Sequence, residues 1–278
     1  MPLPVFVSRN GELIPPAQAA VSVFNPALYG AYGVYESLQI VHGKPFALAA
    51  HLQRLAHSAA ILELPLPADP ATFADWIAAV LAANQAGECT LRIFAVGPEN
   101  GGAATAYLWP QPNPVYPAGC YTAGASVITY EGQRFLPEAK SLNNLVALLS
   151  RRRALELGAH EALLHHDGYL TEGSNSNLFA VLDGAVITPP AGQVLSGVTR
   201  DILLKLASRC GIEIRQAPLA LADLPRWREC FITSTSRHVM PVTVVDGRPV
   251  GDGQVGPLTR QLMELFEAHF VQEIGRVV

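Results

Sequence analysis

Lysine is scarce in this 278-residue chain, and one of its lysines stands apart by position. Lys44, Lys140 and Lys205 are the only lysines among the 19 basic residues. Arginine cannot replace them where a deprotonated amine is needed, because its guanidinium stays charged. Lys44 is expected in an exposed turn and Lys205 in the middle of a helix. Lys140 precedes the polar run 141–144 at the edge of a helix, where a desolvated lysine could lose its proton, as Schiff-base chemistry requires. An ordinary loop lysine would show the same pattern.

The segment 171–179 offers an acid in a polar loop. It reads Thr171-Glu172-Gly173-Ser174-Asn175-Ser176-Asn177-Leu178-Phe179 and lies between two predicted strands. Glu172 is the single acid among small hydroxyl and amide side chains. It could pair with a protonated heteroaromatic nitrogen while residues 174–177 hold the loop. An ordinary polar loop has a similar composition.

Two stretches of small residues have the character of phosphate-binding loops. Ser196-Gly197-Val198-Thr199-Arg200 opens a predicted helix, so its backbone N–H groups and the helix dipole would favour an anion. Thr233-Ser234-Thr235-Ser236 is a run of hydroxyl residues at the end of a predicted strand, and Arg54 adds a fixed positive charge. Singly, these features also fit a helix cap, a turn and a solvated arginine. With Lys140 and Glu172 they form the set needed to bind a phosphorylated pyridine aldehyde and use it as an electron sink.

The elements that must position these residues fall into two groups. In the first part of the chain, Asn10-Gly11 between short apolar runs predicts a hairpin. We also expect strands over 34–41, 91–96 and 105–109 and helices over 48–62 and 69–87, from their hydrophobic periodicity.

Four prolines within 110–117 favour an extended spacer, and a domain boundary is expected there. The predicted organisation is therefore an N-terminal domain over 1–110, a linker over 111–118 and a C-terminal domain over 119–278. In the C-terminal part we expect a strand over 121–130, a helix over 145–157, hairpins over 161–169 and 178–186, a helix over 199–210, strands near Phe231 and Val242 and a last helix over 257–271.

Composition and charge exclude several classes of protein. Half of the residues are apolar and 15% are charged, which excludes a disordered chain. The net charge is −4, and the run Arg151-Arg152-Arg153 fits a solvated helix face, so nucleic-acid binding is not expected. Neither a signal-peptide pattern nor a run of about 18 apolar residues is found, so no membrane span is expected. Cys89, Cys120, Cys210 and Cys230 lack Cys-x-x-Cys spacing, which is typical of reduced thiols in a cytoplasmic protein, and no metal site is expected.

In their order and spacing, the motifs resemble the class IV, or fold-type IV, enzymes that depend on pyridoxal 5′-phosphate (PLP). This family includes branched-chain aminotransferases, D-amino acid aminotransferases and aminodeoxychorismate lyase. The resemblance covers almost the whole chain. It runs through Tyr32-Gly33-Val34-Tyr35-Glu36, His51-Leu52-Gln53-Arg54-Leu55, Lys140-Ser141-Leu142-Asn143, Thr171-Glu172-Gly173-Ser174, Leu195-Ser196-Gly197-Val198-Thr199-Arg200, Thr233-Ser234-Thr235-Ser236 and Met240-Pro241-Val242.

The resemblance implies a mixed α/β fold of two domains, the N-terminal one smaller, with the cofactor between them and homodimers as the usual state. It implies that Lys140 carries the cofactor and that Glu172 faces its pyridine nitrogen. The remaining implied roles are phosphate binding or nearby support for Arg54, Gly197, Val198, Thr199, Ser234 and Thr235, ring packing for Leu195, and substrate binding for Tyr35, Arg92 and Ser236.

Two reactions are compatible with this resemblance. A transaminase would exchange an amino group between an amino acid and a 2-oxo acid by a ping-pong mechanism, with Lys140 moving the proton. A lyase of the aminodeoxychorismate type would share the cofactor site and release pyruvate. A non-catalytic binding protein of the same fold is a third hypothesis, against which the presence of both Lys140 and Glu172 argues.

The substrate is less constrained than the cofactor. The loop 97–102 lacks the Arg-x-His pair of well-known D-amino acid enzymes. Arg92 lies where branched-chain enzymes tend to have an arginine, but Lys140 is not followed by their usual glycine-rich run. The loop 172–177 looks closer to the D-amino acid group. The sequence therefore predicts a branched-chain or D-amino acid donor without deciding between them.

Overall fold

The computed structural model describes residues 4–275, and the packing of their Cα atoms divides them into two compact units. The first unit contains residues 4–114, the short segment 139–143 and residues 273–275. The second contains residues 115–138 and 144–272. Lys140 therefore belongs to the first unit, although it follows the proline-rich segment in the sequence. Both units combine helices with β-sheet, which confirms the mixed α/β class expected from the sequence.

One antiparallel sheet of six strands forms the framework of the first unit. Its strands are β1 (Val7–Arg9), β2 (Glu12–Ile14), β3 (Gly33–Val41), β4 (Lys44–Pro45), β5 (Cys89–Val96) and β6 (Thr105–Gln111). They are arranged in the order β2-β1-β6-β5-β3-β4. The accompanying helices are α1 (Pro26–Gly30), α2 (Leu48–Ile61) and α3 (Pro70–Ala83), with a 3-10 turn at Pro16–Gln18.

Local sequence signals account for the ends of these elements. Asn10 and Gly11 both have positive φ, 49° and 90°, as the tight turn between two antiparallel strands requires. The side chain of Asp69 accepts a hydrogen bond from the backbone N of Thr72 (2.8 Å), and Pro70 occupies the first turn of α3. The expected hairpin and the expected start of this helix are both confirmed.

The two faces of the six-stranded sheet differ in burial. Side chains alternate between the faces along each strand. One face packs against α2 and α3 through the buried residues Val34, Leu38, Ile40, Leu91, Ile93, Ala95, Ala106 and Leu108. The opposite face, called here the Tyr35 face, carries Tyr35, Ser37, Arg92, Phe94 and Trp109, of which only Tyr35 is buried.

The second unit is built around a larger sheet. Its strands are β7 (Ala125–Glu131), β8 (Glu161–His166), β9 (Tyr169–Gly173), β10 (Ser176–Leu182), β11 (Ala185–Thr188), β12 (Ile214–Gln216), β13 (Leu219–Ala220), β14 (Glu229–Ser234), β15 (His238–Val245) and β16 (Arg248–Pro249). The helices after β6 in the chain are α4 (Gly119–Thr122), α5 (Leu145–Glu156), α6 (Val198–Arg209) and α7 (Pro257–Gly275), with 3-10 turns at Ala191–Gln193 and Leu221–Arg226.

Six of these strands close into a ring. They follow the order β10-β14-β15-β7-β8-β9, and β9 pairs again with β10 through Gly173–Ser176 and Glu172–Asn177. Strand β7 runs parallel to both β15 and β8, and α5 provides the crossover from β7 to β8. The closure has a direct consequence for the site, because it sets β9, β10 and β14 side by side.

Three details differ from the expectations of the sequence. Tyr121 lies in α4 rather than in a strand, and β7 begins only at Ala125. The short apolar run there fits either element, because periodicity cannot distinguish a buried strand from one helical turn. Strand β6 extends through Pro110 into the expected spacer. Its pairing with β1 ends before Pro110, so the proline, which has no N–H group, costs no hydrogen bond of the sheet there. Lys44 is half-buried at the start of β4 and not fully exposed.

Within residues 4–275, none of the helices combines the length and apolar character needed to cross a membrane. Within the same residues, no group of three or more His, Cys, Asp and Glu side chains is arranged to hold a metal ion. The four cysteines are unpaired thiols, and only Cys210 is exposed.

Candidate active site

Lys140 is positioned by backbone pairing with the start of β3. Its carbonyl accepts a hydrogen bond from Tyr35 N (2.9 Å), and Leu142 N donates to Gly33 O (2.9 Å). Its own backbone N donates to Ser58 Oγ on α2 (3.0 Å). These bonds fix the backbone of the lysine from both sides, as precise placement of a reactive amine requires.

The Lys140 side chain lies against an aromatic ring. Its Nζ atom is 4.5 Å from the centroid of the Tyr35 ring, within the range of a cation–π contact. Lys140 is half-buried and Tyr35 is buried. Tyr35, expected on the substrate side, and Lys140, expected to carry the cofactor, are therefore brought together in the first unit.

Gly33 is required for this arrangement. A Cβ atom at this position would lie 2.6 Å from the backbone O of Ala95 and 2.6 Å from a side-chain carbon of Leu142. Any larger residue would therefore push the lysine segment away from β3.

Arg54 is buried and ion-paired, not solvated on the helix surface. Its Nε donates to Glu36 Oε1 (2.7 Å) and its terminal NH2 group donates to Glu36 Oε2 (2.8 Å). His51 Nδ1 lies 2.9 Å from Glu36 Oε2. His51 and Glu36 are fully buried, and Arg54 is 9% exposed. The three residues form what we call the Glu36 cluster.

Opposing effects set the protonation of the Glu36 cluster. Burial by itself would raise the pKa of Glu36, but the charge of Arg54 and hydrogen bonds from Arg54 and His51 hold that pKa well below its usual range. Burial lowers the pKa of His51, and the positive charges of Arg54 and Lys140 lower it further, against the effect of Glu36. Glu36 is therefore ionised and His51 neutral near pH 7.

The pairing of Arg54 with Glu36 was missed from the sequence, although a signal for it exists. Alternation along β3 places Glu36 on the same face as Val34 and Leu38, which marks it as a buried acid in need of a cation. His51, Arg54 and Ser58 follow helical spacing on one stripe of α2 and supply the facing polar groups.

Replacing Glu36 by glutamine should destabilise the protein by about 3–5 kcal/mol, because Arg54 would keep a buried charge without its counter-ion. Denaturant unfolding at pH 7 measures this loss. Glu12→Gln is the matched control, since it breaks an exposed ion pair with Arg9 in the same unit and should leave the free energy of unfolding nearly unchanged.

The same variant gives a pH test. The folded-state pKa of Glu36 lies below its unfolded value, so its contribution to stability is present above the unfolded pKa and is lost as the pH falls towards the folded one. The stability difference between wild type and Glu36→Gln should therefore shrink below about pH 4. A constant difference down to about pH 3 would contradict the assignment of an ionised Glu36.

In the second unit, Glu172 is buried at the end of β9. Its Oε2 accepts a hydrogen bond from the backbone N of Leu195 (3.2 Å), and its Oε1 lies 4.0 Å from Arg134 Nε. Glu172 is 3% exposed and Arg134 is 7% exposed. Arg134 had no signal in the sequence, because it lies in an irregular stretch between β7 and α5.

The start of α6 has the character of an anion site. Gly197 precedes the first turn, and no side chain caps the backbone N–H groups there. A Cβ atom at Gly197 would collide with the side-chain oxygen of Asn177, whose Nδ2 donates to Leu195 O (2.8 Å). Backbone donors at an uncapped helix start suit a phosphate, and glycine allows the close approach.

The hydroxyl run 233–236 contains hydroxyl groups with a hydrogen-bond partner and one without a partner in the described residues. Thr233 Oγ1 is buried without a hydrogen-bond partner in the described residues. Ser234 Oγ accepts from the backbone N of Arg237 (3.3 Å), and Ser236 Oγ lies 2.9 Å from the Tyr116 hydroxyl. Thr235 is half-buried. A buried hydroxyl without a partner is costly unless a ligand supplies one.

Sheet register brings the parts of the second unit together. Asn177 on β10 is paired with Glu172 on β9 and with Thr233 on β14. Neighbouring strands are about 4.8 Å apart, so the acid and the hydroxyl run are separated by roughly 10 Å with the Gly197 turn beside Asn177. An acid, an uncapped helix start and an unpartnered hydroxyl at this separation fit a pyridine ring that carries a phosphate.

A second buried ion pair supports these loops. Arg237 lies 3.0 Å from Glu161 Oε2 through its terminal nitrogen, and its guanidinium carbon is 4.9 Å from the centroid of the Tyr116 ring. Ser174 Oγ donates to the other oxygen of Glu161. Arg237 thus connects the turn after β14 with the turn after β9. None of these roles was inferred from the sequence.

Of the other substrate-side residues, Arg92 lies on the Tyr35 face and Ser236 in the second unit. Arg92 is half-buried, and its terminal nitrogen donates to Ser37 Oγ on the neighbouring strand. Arg200, at the start of α6, has one terminal nitrogen that donates to Pro189 O (3.0 Å) and to Gln216 Oε1 (3.1 Å).

Comparison with known proteins gives a consistent result. Residues 33–245 match the family model for class IV amino-transferases. The chain is 33% identical over 270 residues to a putative branched-chain-amino-acid aminotransferase of Methanocaldococcus jannaschii, covering 93% of this chain and 94% of the relative. It is 32% identical over 273 residues to a D-alanine aminotransferase of Staphylococcus aureus, covering 94% and 96%.

Solved structures agree with the sequence relatives. The T.th. branched-chain amino acid aminotransferase with pyridoxamine 5′-phosphate superposes with a TM-score of 0.90 at 28% identity, over 98% of this chain and 96% of that one. The Escherichia coli branched-chain amino acid aminotransferase superposes with a TM-score of 0.87 at 29% identity, over 96% and 95%.

Proposed function

This chain belongs to the class IV aminotransferases, enzymes that depend on PLP in general, and from that premise we propose that it binds PLP through Lys140. As an aminotransferase it moves an amino group between an amino acid and a 2-oxo acid. The relatives and solved structures are named aminotransferases, which supports transamination and not the lyase alternative. The same names argue against a non-catalytic binding protein. The observation that carries the cofactor proposal is the lateral alignment of Glu172, Asn177 and Thr233 beside the uncapped start of α6.

The proposed cofactor contacts follow from the chemistry of each group. Glu172 would face the pyridine nitrogen, and Leu195, whose N–H donates to Glu172, would pack on the ring. Arg54 would add a guanidinium that the Glu36 cluster holds in one orientation. The remaining phosphate donors are proposed to come from Gly197, Val198, Thr199, Ser234 and Thr235, with the unpartnered hydroxyl of Thr233 nearby.

The proposed mechanism assigns two tasks to side chains of this protein. PLP, when bound, supplies a conjugated ring that takes up the electrons of the substrate Cα–H bond. Lys140 would take the proton from the substrate Cα as general base and give it up to the bound cofactor as general acid, and with the second oxo acid it would carry a proton back to Cα. Glu172, which lies near Arg134, would hold a proton on the pyridine nitrogen. The first product leaves before the second oxo acid binds, so ping-pong kinetics are expected.

The substrate proposal retains both donor classes of the relatives. Tyr35 and Arg92 on the Tyr35 face, together with Ser236, are the proposed substrate-binding residues. Branched-chain amino acids and D-amino acids are the candidate donors, and a 2-oxo acid is the acceptor. The organisation into a domain over 1–110, a linker over 111–118 and a cofactor-binding domain over 119–278 remains part of the proposal.

We also propose a homodimer in the cytoplasm. Helix α5 buries the small residues Ala147, Ser150 and Ala154 and exposes leucines on its other side. Leu145 is 62% and Leu148 64% exposed. Exposed leucines on one helix favour association with a second copy. The unpaired cysteine thiols support a reducing compartment.

Borohydride labelling tests the cofactor proposal. Holoenzyme purified with PLP should be yellow and should lose its colour on reduction with borohydride. Mass spectrometry of the digested protein should then find a pyridoxyl group on Lys140. A label on Lys44 or Lys205, or no label at all, would refute the proposal. A half-reaction screen of L- and D-amino acids, followed by the loss of colour, would then identify the donor.

A further inference from the structure

The Tyr35 face continues beyond Tyr35 as a strip of aromatic rings. Phe94 on β5 is directly opposite Tyr35 on β3, and their ring centroids are 6.0 Å apart in an edge-on arrangement. Trp109 on β6 follows, with its ring 4.9 Å from that of Phe94, again nearly perpendicular. Because Lys140 Nζ lies 4.5 Å from the Tyr35 ring, the strip begins at the reactive amine.

The burial of this strip differs from that of a hydrophobic core. On the opposite face of the same strands, Leu91, Ile93 and Leu108 are completely buried. Phe94 and Trp109 are larger, yet both are only half-buried. Large apolar rings that remain partly accessible next to a reactive group are typical of a ligand wall.

From this geometry we infer that Phe94 and Trp109 form the wall on which the substrate side chain packs, so that the enzyme prefers amino donors with large apolar side chains to alanine. The inference rests on the proposed function, since it requires that the substrate reacts beside Lys140. A donor side chain extending from Tyr35 meets Phe94 and then Trp109. Alanine has too little side chain to reach either ring.

The effect of single methylene groups in other apolar pockets indicates how strongly leucine should be preferred to alanine. One methylene group in an apolar pocket changes kcat/KM by about 10- to 200-fold. Leucine exceeds alanine by three carbon atoms, so even a partly exposed wall should favour leucine by at least about tenfold. Shortening either ring should remove a large part of that preference and leave the reaction of alanine nearly unchanged.

The test compares substrates across matched variants. Phe94→Val and Trp109→Val shorten the wall and introduce a β-branched side chain, which suits a strand. Tyr169→Val is the control, because Tyr169 is a half-exposed aromatic residue at the start of β9 in the second unit, where it pairs with Ala220 and lies outside the Tyr35 face. The kcat/KM values for leucine and alanine are measured with the stereoisomer that the half-reaction screen shows to be used.

In Phe94→Val and Trp109→Val, the leucine-to-alanine ratio of kcat/KM should fall about tenfold or more, and in Tyr169→Val it should stay within about threefold of wild type. Equal losses for both substrates, or an equal change in Tyr169→Val, would overturn the inference and leave only a packing role. If a valine variant does not fold, Trp109→Phe and Phe94→Leu should give a smaller shift in the same direction. Failure of the proposed function looks different, since the unaltered enzyme would then react with no amino acid.

Discussion

Replacing Lys140 by alanine should lower the turnover number by about a thousandfold or more. The variant loses the group that binds the cofactor covalently and the only proposed acid–base catalyst for the Cα proton, and such catalysts contribute about 10²- to 10⁴-fold. It should still bind PLP, because Glu172, the start of α6 and the hydroxyl run 233–236 are unchanged. Steady-state assays with saturating PLP measure the first effect, and equilibrium dialysis measures the second.

Lys205→Ala is the matched control, since Lys205 is exposed in the middle of α6. It should leave turnover within about twofold of wild type, as expected for a solvated surface residue. Added small primary amines should partly restore the Lys140→Ala variant, because they can accept and return the proton. Full activity of Lys140→Ala without added amine would remove Lys140 from the mechanism.

Replacing Glu172 by glutamine should slow the half-reaction by about a hundredfold or more while PLP stays bound. A neutral amide cannot keep the pyridine nitrogen protonated, and loss of one preorganised electrostatic group typically costs about 10²- to 10³-fold. The backbone N–H of Leu195 can still donate to the amide oxygen, so the position of the side chain should be preserved. Stopped-flow measurement of colour loss on mixing with an amino donor gives the rate.

Two measurements separate this effect from damage to the fold. Glu213→Gln, which breaks an exposed pair with Arg215 in the same unit, should leave the rate unchanged. Glu172→Gln also leaves Arg134 without its nearby carboxylate, so its unfolding free energy must be determined alongside. A half-reaction rate equal to that of wild type would exclude the electron-sink role proposed for Glu172.

The sequence by itself determined the features that depend on neighbours along the chain. The turns at Asn10-Gly11, Asp167-Gly168 and Asp183-Gly184 were recognisable because few residue pairs tolerate two successive positive φ angles, and all three have them. The start of α6 followed from the small residues before its first turn. The ordered motifs also indicated the family, which the family model over residues 33–245 confirms.

Local sequence patterns gave the wrong element where they were compatible with two structures. The run Gly119–Thr122 is too short to show a period, and it folds as α4 instead of extending β7. Proline in 110–117 predicted a spacer from Pro110 onward, but the edge of β6 accommodates that residue. In both places the local pattern allowed two structures, and the surrounding strands selected one.

Only the tertiary structure decided which charges are paired. Arg54 meets Glu36, Glu172 lies near Arg134, and Glu161 meets Arg237. The members of each pair come from different elements, so periodicity can mark a buried charge, as it does for Glu36, but cannot say which partner that charge meets. Lys140 likewise joins the first unit through backbone bonds to β3, far from it along the chain. A buried charge is tolerable only beside its partner, and partners distant in sequence are chosen by the register of strands and the packing of helices, which a single sequence does not display.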